Sequence, residues 1–256
     1  MQKKSVYAAT AALSLLFTPL HAQAAELKVM VSGAMAHAIQ EIAQNFAKAH
    51  GDTLDFVVGT TGTITDRIHK GEKPDLVEMT SAGLSDLEKE KLIVPGTRVE
   101  LARAILGITV KSDAPAPDIS TRDALKRALS SAHTIAFIDP KVGGQAAAGI
   151  VHVLDRLGIA ADAAKKSVYG PTGAAAVEKV ASGQADIAIA FASEVLPIKG
   201  VKLVGLIQPE LQDPATFAGA VGANGSNPQA ARELLQAIIS PEGAKIVRQA
   251  GLEPLH

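Results

Sequence analysis

The sequence contains no cysteine and no tryptophan among its 256 residues. Without cysteine the protein needs no disulfides, and catalysis by a thiol is excluded. Aromatic residues make up 3% of the chain and the formal net charge is −1, so neither stacking platforms nor a basic surface for nucleic acid is expected. Apolar residues make up 47%, enough for a core in one large or two small domains.

An apolar run at the start of the chain has the features of a secretory signal peptide. Two lysines precede it, residues 6–16 form the run, and Ala22-Gln23-Ala24 is a small-residue cleavage site. The run is short for a membrane span, and a lipid anchor on cysteine is impossible. We therefore expect residues 1–24 to be a signal peptide, cleaved after Ala24 or after Ala22, and the mature protein to be exported to a bacterial periplasm.

The chain then alternates between apolar, β-prone runs and segments with helical spacing. Residues 54–68 are the clearest case, with an apolar run, a centre of Gly and Thr, and then Ile64 and Ile68 four residues apart. This pattern predicts a strand, a tight loop and a helix. Free backbone N–H groups at such a helix N-terminus, with threonine hydroxyls beside them, form a small anion site. The simpler alternative is an ordinary helix cap.

Two similar turns lie nearby, around Ser32 and around Ser81, each at the end of a predicted strand. Parallel α/β sheets bind ligands at the carboxyl ends of their strands. The turns around Ser32, Thr61 and Ser81 are therefore predicted to share one site.

A second group of βα units follows the Pro-rich segment 113–117. It includes a strand over 134–138 and a Gly-rich turn at Gly143-Gly144 before a helix. We interpret residues 101–110 as one long strand that crosses between two domains. The predicted domains are residues 26–108 plus 205–256, and residues 109–204, with a binding cleft between them.

Motifs along nearly the whole mature chain resemble those of the periplasmic molybdate-binding protein family. They are Ser32-Gly33-Ala34-Met35, Gly59-Thr60-Thr61-Gly62, Gly71-Glu72-Lys73-Pro74-Asp75-Leu76 and Val180-Ala181-Ser182-Gly183-Gln184-Ala185-Asp186-Ile187. The resemblance implies a two-domain α/β protein with the type II periplasmic-binding-protein fold and a ligand cleft between the domains. A divergent subgroup with these features includes aconitate isomerase.

Two positions depart from what the resemblance implies for molybdate. Ala34 stands where the family has an oxyanion-binding serine, and Phe191 stands where it has a ligand tyrosine. We therefore expect a small organic di- or tricarboxylate rather than molybdate. The expected ligand-binding residues are Ser32, Gly33, Thr60, Thr61, Ser81, Gly143, Gly144 and Tyr169.

Two functions remain open from the sequence. One is a monomeric binding protein that delivers a small anion to an inner-membrane ABC transporter. The other is an isomerase that interconverts cis- and trans-aconitate by an allylic proton shift, which needs a base. His37 and Asp139 are the candidate bases, although a surface or capping histidine and a turn-forming aspartate are the plainer interpretations. No metal site or cofactor motif is visible, so none is expected.

Overall fold

The strands of the protein form two separate sheets in the computed structural model, which describes residues 24–256. The strands are β1 (Glu26–Ser32), β2 (Thr53–Gly59), β3 (Leu76–Thr80), β4 (Val99–Ala104), β5 (Leu106–Lys111), β6 (Ile135–Ile138), β7 (Ser167–Gly170), β8 (Ile187–Phe191), β9 (Val201–Leu206), β10 (Ala215–Val221) and β11 (Glu253–Pro254). One sheet has the order β11-β4-β10-β3-β1-β2, and the other has the order β7-β6-β8-β5-β9.

Helices alternate with these strands along the chain. They are α1 (Gly33–His50), α2 (Thr61–His69), α3 (Ser81–Lys89), α4 (Arg122–Ser131), α5 (Gln145–Arg156), α6 (Ala160–Ala164), α7 (Gly173–Ala181), α8 (Ala192–Val195), α9 (Pro228–Ile239) and α10 (Pro241–Gln249). We call the six-stranded sheet with α1–α3, α9 and α10 the first lobe, and the five-stranded sheet with α4–α8 the second lobe. Among the described residues, no helix is long and apolar enough to cross a membrane.

Helix α1 shows why the sequence pattern predicts these elements well. Met35, Ile39 and Ile42 recur at helical spacing, and all are buried. The helix ends at Gly51, whose φ of 78° is a left-handed conformation that favours glycine. Burial of this face fixes the direction of α1 and points its N-terminus to the carboxyl ends of the strands.

The predicted long strand over residues 101–110 is wrong in one respect, because it is two strands. β4 ends at Ala104 in the first lobe, and β5 begins at Leu106 in the second. The chain returns after Leu206, at the end of β9. The chain therefore passes from one sheet to the other at Ile105 and again after Leu206, close to the predicted domain bounds of 108 and 205. The division into two domains at those bounds stays a prediction.

The buried amide of Gln212 fastens the two connections between the lobes. Leu106 donates its backbone N–H to Gln212 Oε1 at 2.8 Å, and Gln212 Nε2 donates to the carbonyl of Ile207 at 2.6 Å. This side chain thus joins the outgoing and returning segments, beside the backbone bond that Ile207 N–H donates to the carbonyl of Leu106 at 2.8 Å. Beside them, the rings of Phe191 and Phe217 meet edge to face with centroids 6.0 Å apart.

Residues 1–23 lie outside the described residues. The signal peptide predicted over residues 1–24, its cleavage site and export to the periplasm therefore stay predictions. In the described part, helix α3 begins at Ser81, so the predicted polar turn at this position is the first turn of the helix.

Candidate functional site

A cleft of about 420 Å³, open at its mouth, lies between the two lobes. Its first-lobe wall is formed by the carboxyl ends of parallel β1 and β2, at Ser32 and Gly59, and by Thr80 at the end of β3. Its second-lobe wall includes Ile138 at the end of β6 and Gln145 at the start of α5.

Two helices, one in each lobe, present open N-termini to this cleft. Within residues 24–256, no side chain at the cap position bonds the first turn of α1 or of α5, whose cap residues are Ser32 and Gly144. By contrast, Thr60 caps α2 by accepting from the N–H of Thr63 at 3.2 Å. The N–H groups at the starts of α1 and α5 are thus available to a ligand, and the helix dipoles favour an anion there.

The loop before α5 depends on glycine. Gly143 has φ 73° and Gly144 has φ 96°, both in the left-handed region that strains other residues. These two conformations turn the chain from the strand β6 into α5 so that the helix N-terminus faces the cleft. Both residues line the cleft.

A carboxylic acid lies behind Ser32. Glu78, on β3, is fully buried and accepts the backbone N–H of Ser32 at 2.7 Å, and the Ser32 hydroxyl lies 3.0 Å from both carboxyl oxygens. Burial raises the pKa of Glu78 to about 8, although the two Ser32 donors oppose the rise. At neutral pH this group is therefore mainly uncharged, which avoids a buried negative charge behind an anion site.

A second carboxyl group lines the cleft itself. Glu194, on α8, accepts backbone N–H groups from Gly173 and Ala174 at the start of α7, and from Phe191 at 3.4 Å. Burial raises the pKa of Glu194 to about 7, against the lowering effect of these donors. A Cβ at position 173 would overlap this carboxyl group, so glycine is required there.

The two departures noted in the sequence both lie in the cleft wall. Ala34 and Phe191 line it without offering a hydroxyl group, and Phe191 packs against Phe217 instead. Among the described residues, no lysine, arginine or histidine lines the cleft. A bound anion would therefore be held by backbone N–H groups and neutral hydroxyls, with one carboxylic acid beside it.

The structure brings most of the predicted ligand-binding residues to one place. Of the predicted residues, those that line the cleft are Ser32, Gly33, Thr60, Thr61, Gly143 and Gly144. Ser81 lies elsewhere, because its hydroxyl donates to Glu100 at 2.6 Å and accepts from Arg98 at 2.7 Å. Tyr169 is 42% exposed on β7 and packs edge to face on Phe137.

Neither predicted base lies in the cleft wall. His37 is exposed on α1, and Asp139 caps the turn over residues 140–142 by accepting the N–H of Lys141 at 2.9 Å. Sequence reasoning missed Glu78 and Glu194. An acidic residue inside the apolar run of β3 was a usable signal for Glu78. For Glu194, which follows the buried strand β8, the contact with α7 could not be inferred from local sequence.

Metal ligation has little support in the described part of the chain. Residues 24–256 contain no group of three or more His, Asp or Glu side chains that could hold a metal ion. The chemistry available in the cleft is hydrogen bonding to anions and proton exchange with a carboxyl group.

Comparisons with known proteins agree with this fold. Residues 27–253 match the model of a family described as bacterial extracellular solute-binding protein. An aconitate isomerase from Pseudomonas sp is 31% identical over 255 residues, covering 96% of this chain and 95% of the relative. The molybdate-binding protein ModA of Azotobacter vinelandii is 26% identical over 235 residues and covers 90% of each chain.

A solved structure supports the fold class. The periplasmic molybdate-binding protein of Azotobacter vinelandii superposes with a TM-score of 0.74 at 18% identity, over 88% of this chain and 98% of that one. The predicted type II periplasmic-binding-protein fold and the resemblance to the molybdate-binding family are therefore confirmed.

Proposed function

Because the chain belongs to the bacterial extracellular solute-binding protein family, we propose that its cleft binds a small organic di- or tricarboxylate. The observation that carries this proposal is the pair of open helix N-termini, α1 from one lobe and α5 from the other. Two separated groups of N–H donors suit a molecule with carboxylates at both ends. The hydroxyls of Thr60 and Thr61, which bond Thr63 and Thr80 in this structure, can turn to serve as neutral donors on the first-lobe side.

Molybdate fits this cleft less well. Ala34 and Phe191 provide no hydrogen-bond donor from their side chains, and an anion oxygen left without a partner in a closed site has lost its hydration without compensation. The Glu194 carboxyl would also repel a compact dianion whenever it is ionised. A tricarboxylate brings only one carboxylate to the α1 N-terminus beside Glu194 and can place its other charged groups farther away.

As a binding protein, the molecule would act in the periplasm and deliver its ligand to an inner-membrane ABC transporter. This part of the proposal rests on the family and on the predicted signal peptide. It requires reversible binding and no chemical change in the ligand.

A second function is favoured by the relative from Pseudomonas sp, an aconitate isomerase that aligns over nearly the whole of both chains. We infer that this protein interconverts cis- and trans-aconitate in the same cleft. The substrate is a tricarboxylate, so the binding proposal and the enzymatic proposal concern one site. We expect the reaction to need no added metal or cofactor.

Two measurements on the purified mature protein test these proposals. In thermal-shift titrations, trans-aconitate should raise the melting temperature, whereas micromolar molybdate and tungstate should have little effect. A response to molybdate alone would contradict the carboxylate proposal. Incubation with trans-aconitate should produce cis-aconitate, measured by chromatography, with and without EDTA. Stabilisation by aconitate without conversion would leave the binding protein as the function.

A further inference from the structure

We propose that Glu194 is the catalytic residue that carries the proton during aconitate isomerisation. The inference rests on the isomerase activity proposed above. It concerns a residue that no sequence motif singled out, and it assigns to Glu194 the role predicted for His37 or Asp139, which lie outside the cleft wall.

The position of Glu194 is the first argument. It lines the cleft beside the open N-terminus of α1, where the position that a Cβ on Gly33 would take lies 3.2 Å from Glu194 Oε1. A substrate carboxylate held by the N–H groups of α1 would therefore have its neighbouring carbon next to this oxygen. A general base must be within such reach of the proton that it takes.

The titration of Glu194 fits the role. Burial raises its pKa to about 7, and the N–H groups of Phe191, Gly173 and Ala174 limit the rise. In the part of the chain that the structure describes, no charged side chain contributes to this shift. Both protonated and ionised forms are therefore present near neutral pH, as a group that must accept and then return a proton requires.

The proton transfer balances without any further reactant. Ionised Glu194 takes a proton from the methylene carbon of aconitate, and the electron pair of that C–H bond forms a double bond to the central carbon. The original double bond opens toward the vinylic carbon, which receives the proton from Glu194. One C–H bond is broken and one is formed, and Glu194 ends ionised as it began.

Glu78, which bonds Ser32 of the cleft wall, is another buried acid, and it is less suited to this step. It is fully buried behind Ser32, which accounts for its hydrogen bonds and stands between it and the cleft. Glu194 could instead serve only to cap α7, since it accepts N–H groups of that helix. A purely structural cap would change stability but would not change turnover separately from binding.

The variant Glu194→Gln keeps the shape of the side chain and an oxygen for the helix N–H groups, but it cannot exchange the proton. We expect kcat to fall by about 10²–10⁴-fold, while the Kd for trans-aconitate, measured by calorimetry, stays within about threefold because the helix donors remain. The matched control is Glu178→Gln, which removes an exposed carboxyl from α7 and should leave kcat unchanged.

The pH profile provides a readout that a structural cap would not affect. In the wild type, kcat/KM should decline below about pH 7, roughly tenfold per pH unit, as Glu194 becomes protonated in the free protein. The residual activity of Glu194→Gln should lack this decline.

An isotope experiment on the wild type tests the proposal even if the variant does not fold. With trans-aconitate dideuterated at its methylene carbon, that carbon becomes the vinylic carbon of cis-aconitate and keeps one deuterium. Part of the abstracted deuterium should appear at the new methylene carbon of cis-aconitate, which was the vinylic carbon of the substrate, after one turnover. A shielded carboxyl that returns the proton it took predicts this transfer, and complete loss of the abstracted deuterium to water would contradict it.

The outcomes separate the two proposals. An active wild type with a Glu194→Gln variant of similar kcat would refute the role of Glu194 and leave the isomerase intact. Loss of activity in His37→Ala or Asp139→Asn, with Glu194→Gln active, would assign the role to one of those residues. A wild type without isomerase activity would refute both the isomerase and the role of Glu194, and binding of aconitate would still be measurable.

Discussion

Replacing Glu78 with glutamine should stabilise the protein at pH 7, and the gain should disappear in acid. Glu78 is fully buried on β3, and Ser32 is its hydrogen-bond partner. A glutamine at this position can accept the backbone N–H of Ser32 through its oxygen and donate to the hydroxyl through its nitrogen. The substitution therefore retains the contacts and removes only the titration.

The size of the effect follows from the pKa of Glu78, which burial raises from 4.5 to about 8. Between these values the folded protein holds a proton that the unfolded chain has released, so stability falls as the pH rises. Each pH unit costs about 1.4 kcal/mol. Over the roughly 2.5 units up to pH 7, the Glu78 carboxyl lowers the free energy of unfolding by about 3 kcal/mol.

Glu194 contributes in the same direction, because burial raises its pKa to about 7. The wild type should therefore lose stability between pH 5 and pH 7 with a slope of about two protons, roughly 2.7 kcal/mol per pH unit. In Glu78→Gln the slope should be about one proton. Above about pH 9 the slopes from these two groups should vanish, since the folded and unfolded states are then equally ionised.

Urea unfolding followed by circular dichroism at pH 5, 6, 7 and 8 measures these slopes. Glu41→Gln, which removes an exposed carboxyl from α1, is the matched control and should follow the wild type. If Glu78→Gln and the wild type give parallel profiles, then Glu78 is ionised in the folded protein and the argument from burial is refuted.

Further predictions concern the cleft. Thr61→Ala should weaken trans-aconitate binding by roughly 1.5–3 kcal/mol in calorimetry, since a hydrogen bond to a charged group is lost. The control variant Thr65→Ala, one turn along α2, should bind trans-aconitate as the wild type does. Equal affinities of Thr61→Ala and the wild type would exclude Thr61 from the site. Gly143→Ala and Gly183→Ala both place a side chain at positive φ, 73° and 76°, with no atom within 4 Å. Gly183→Ala should lower stability by about 1 kcal/mol. Gly143→Ala should lower it by roughly 1–3 kcal/mol, because the ψ of −169° at Gly143 belongs to a region that only glycine readily adopts. Binding should weaken only for Gly143→Ala, which alters the loop before α5; equal binding by both would contradict the role of that loop. Tungstate at micromolar concentration should leave the melting temperature of the wild type unchanged, and a shift comparable to that given by trans-aconitate would refute the exclusion of oxyanions.

Local patterns in the sequence were sufficient to predict most of the residues in the first-lobe wall of the cleft. The turns at Ser32 and Thr61 follow apolar strands, and parallel strands bring their carboxyl ends together. The break at Ile105 could not be predicted, because the residues next to it, Ala104 and Leu106, are apolar, and Gln212, which bonds Leu106 there, is more than 100 residues away.

The wrongly placed residue Ser81 and the overlooked residue Glu194 have the same cause, which is contact between distant parts of the chain. Ser81 has the right position in the sequence, but Arg98 and Glu100 draw its hydroxyl into a separate network. The setting of Glu194 depends on Gly173, 21 positions earlier in the chain, whose missing side chain makes room for the carboxyl. Such contacts arise only when distant elements pack, and no periodicity in the sequence records them.

The Gln212 amide has a consequence for how quickly a ligand can enter and leave. Because this one buried side chain holds both connections, the two lobes cannot slide past each other without breaking its hydrogen bonds. We therefore expect an opening of the cleft to keep these hydrogen bonds and to bend the two connections beside Gln212. The rate at which a ligand enters and leaves would then depend on this bending as well as on the ligand's own contacts.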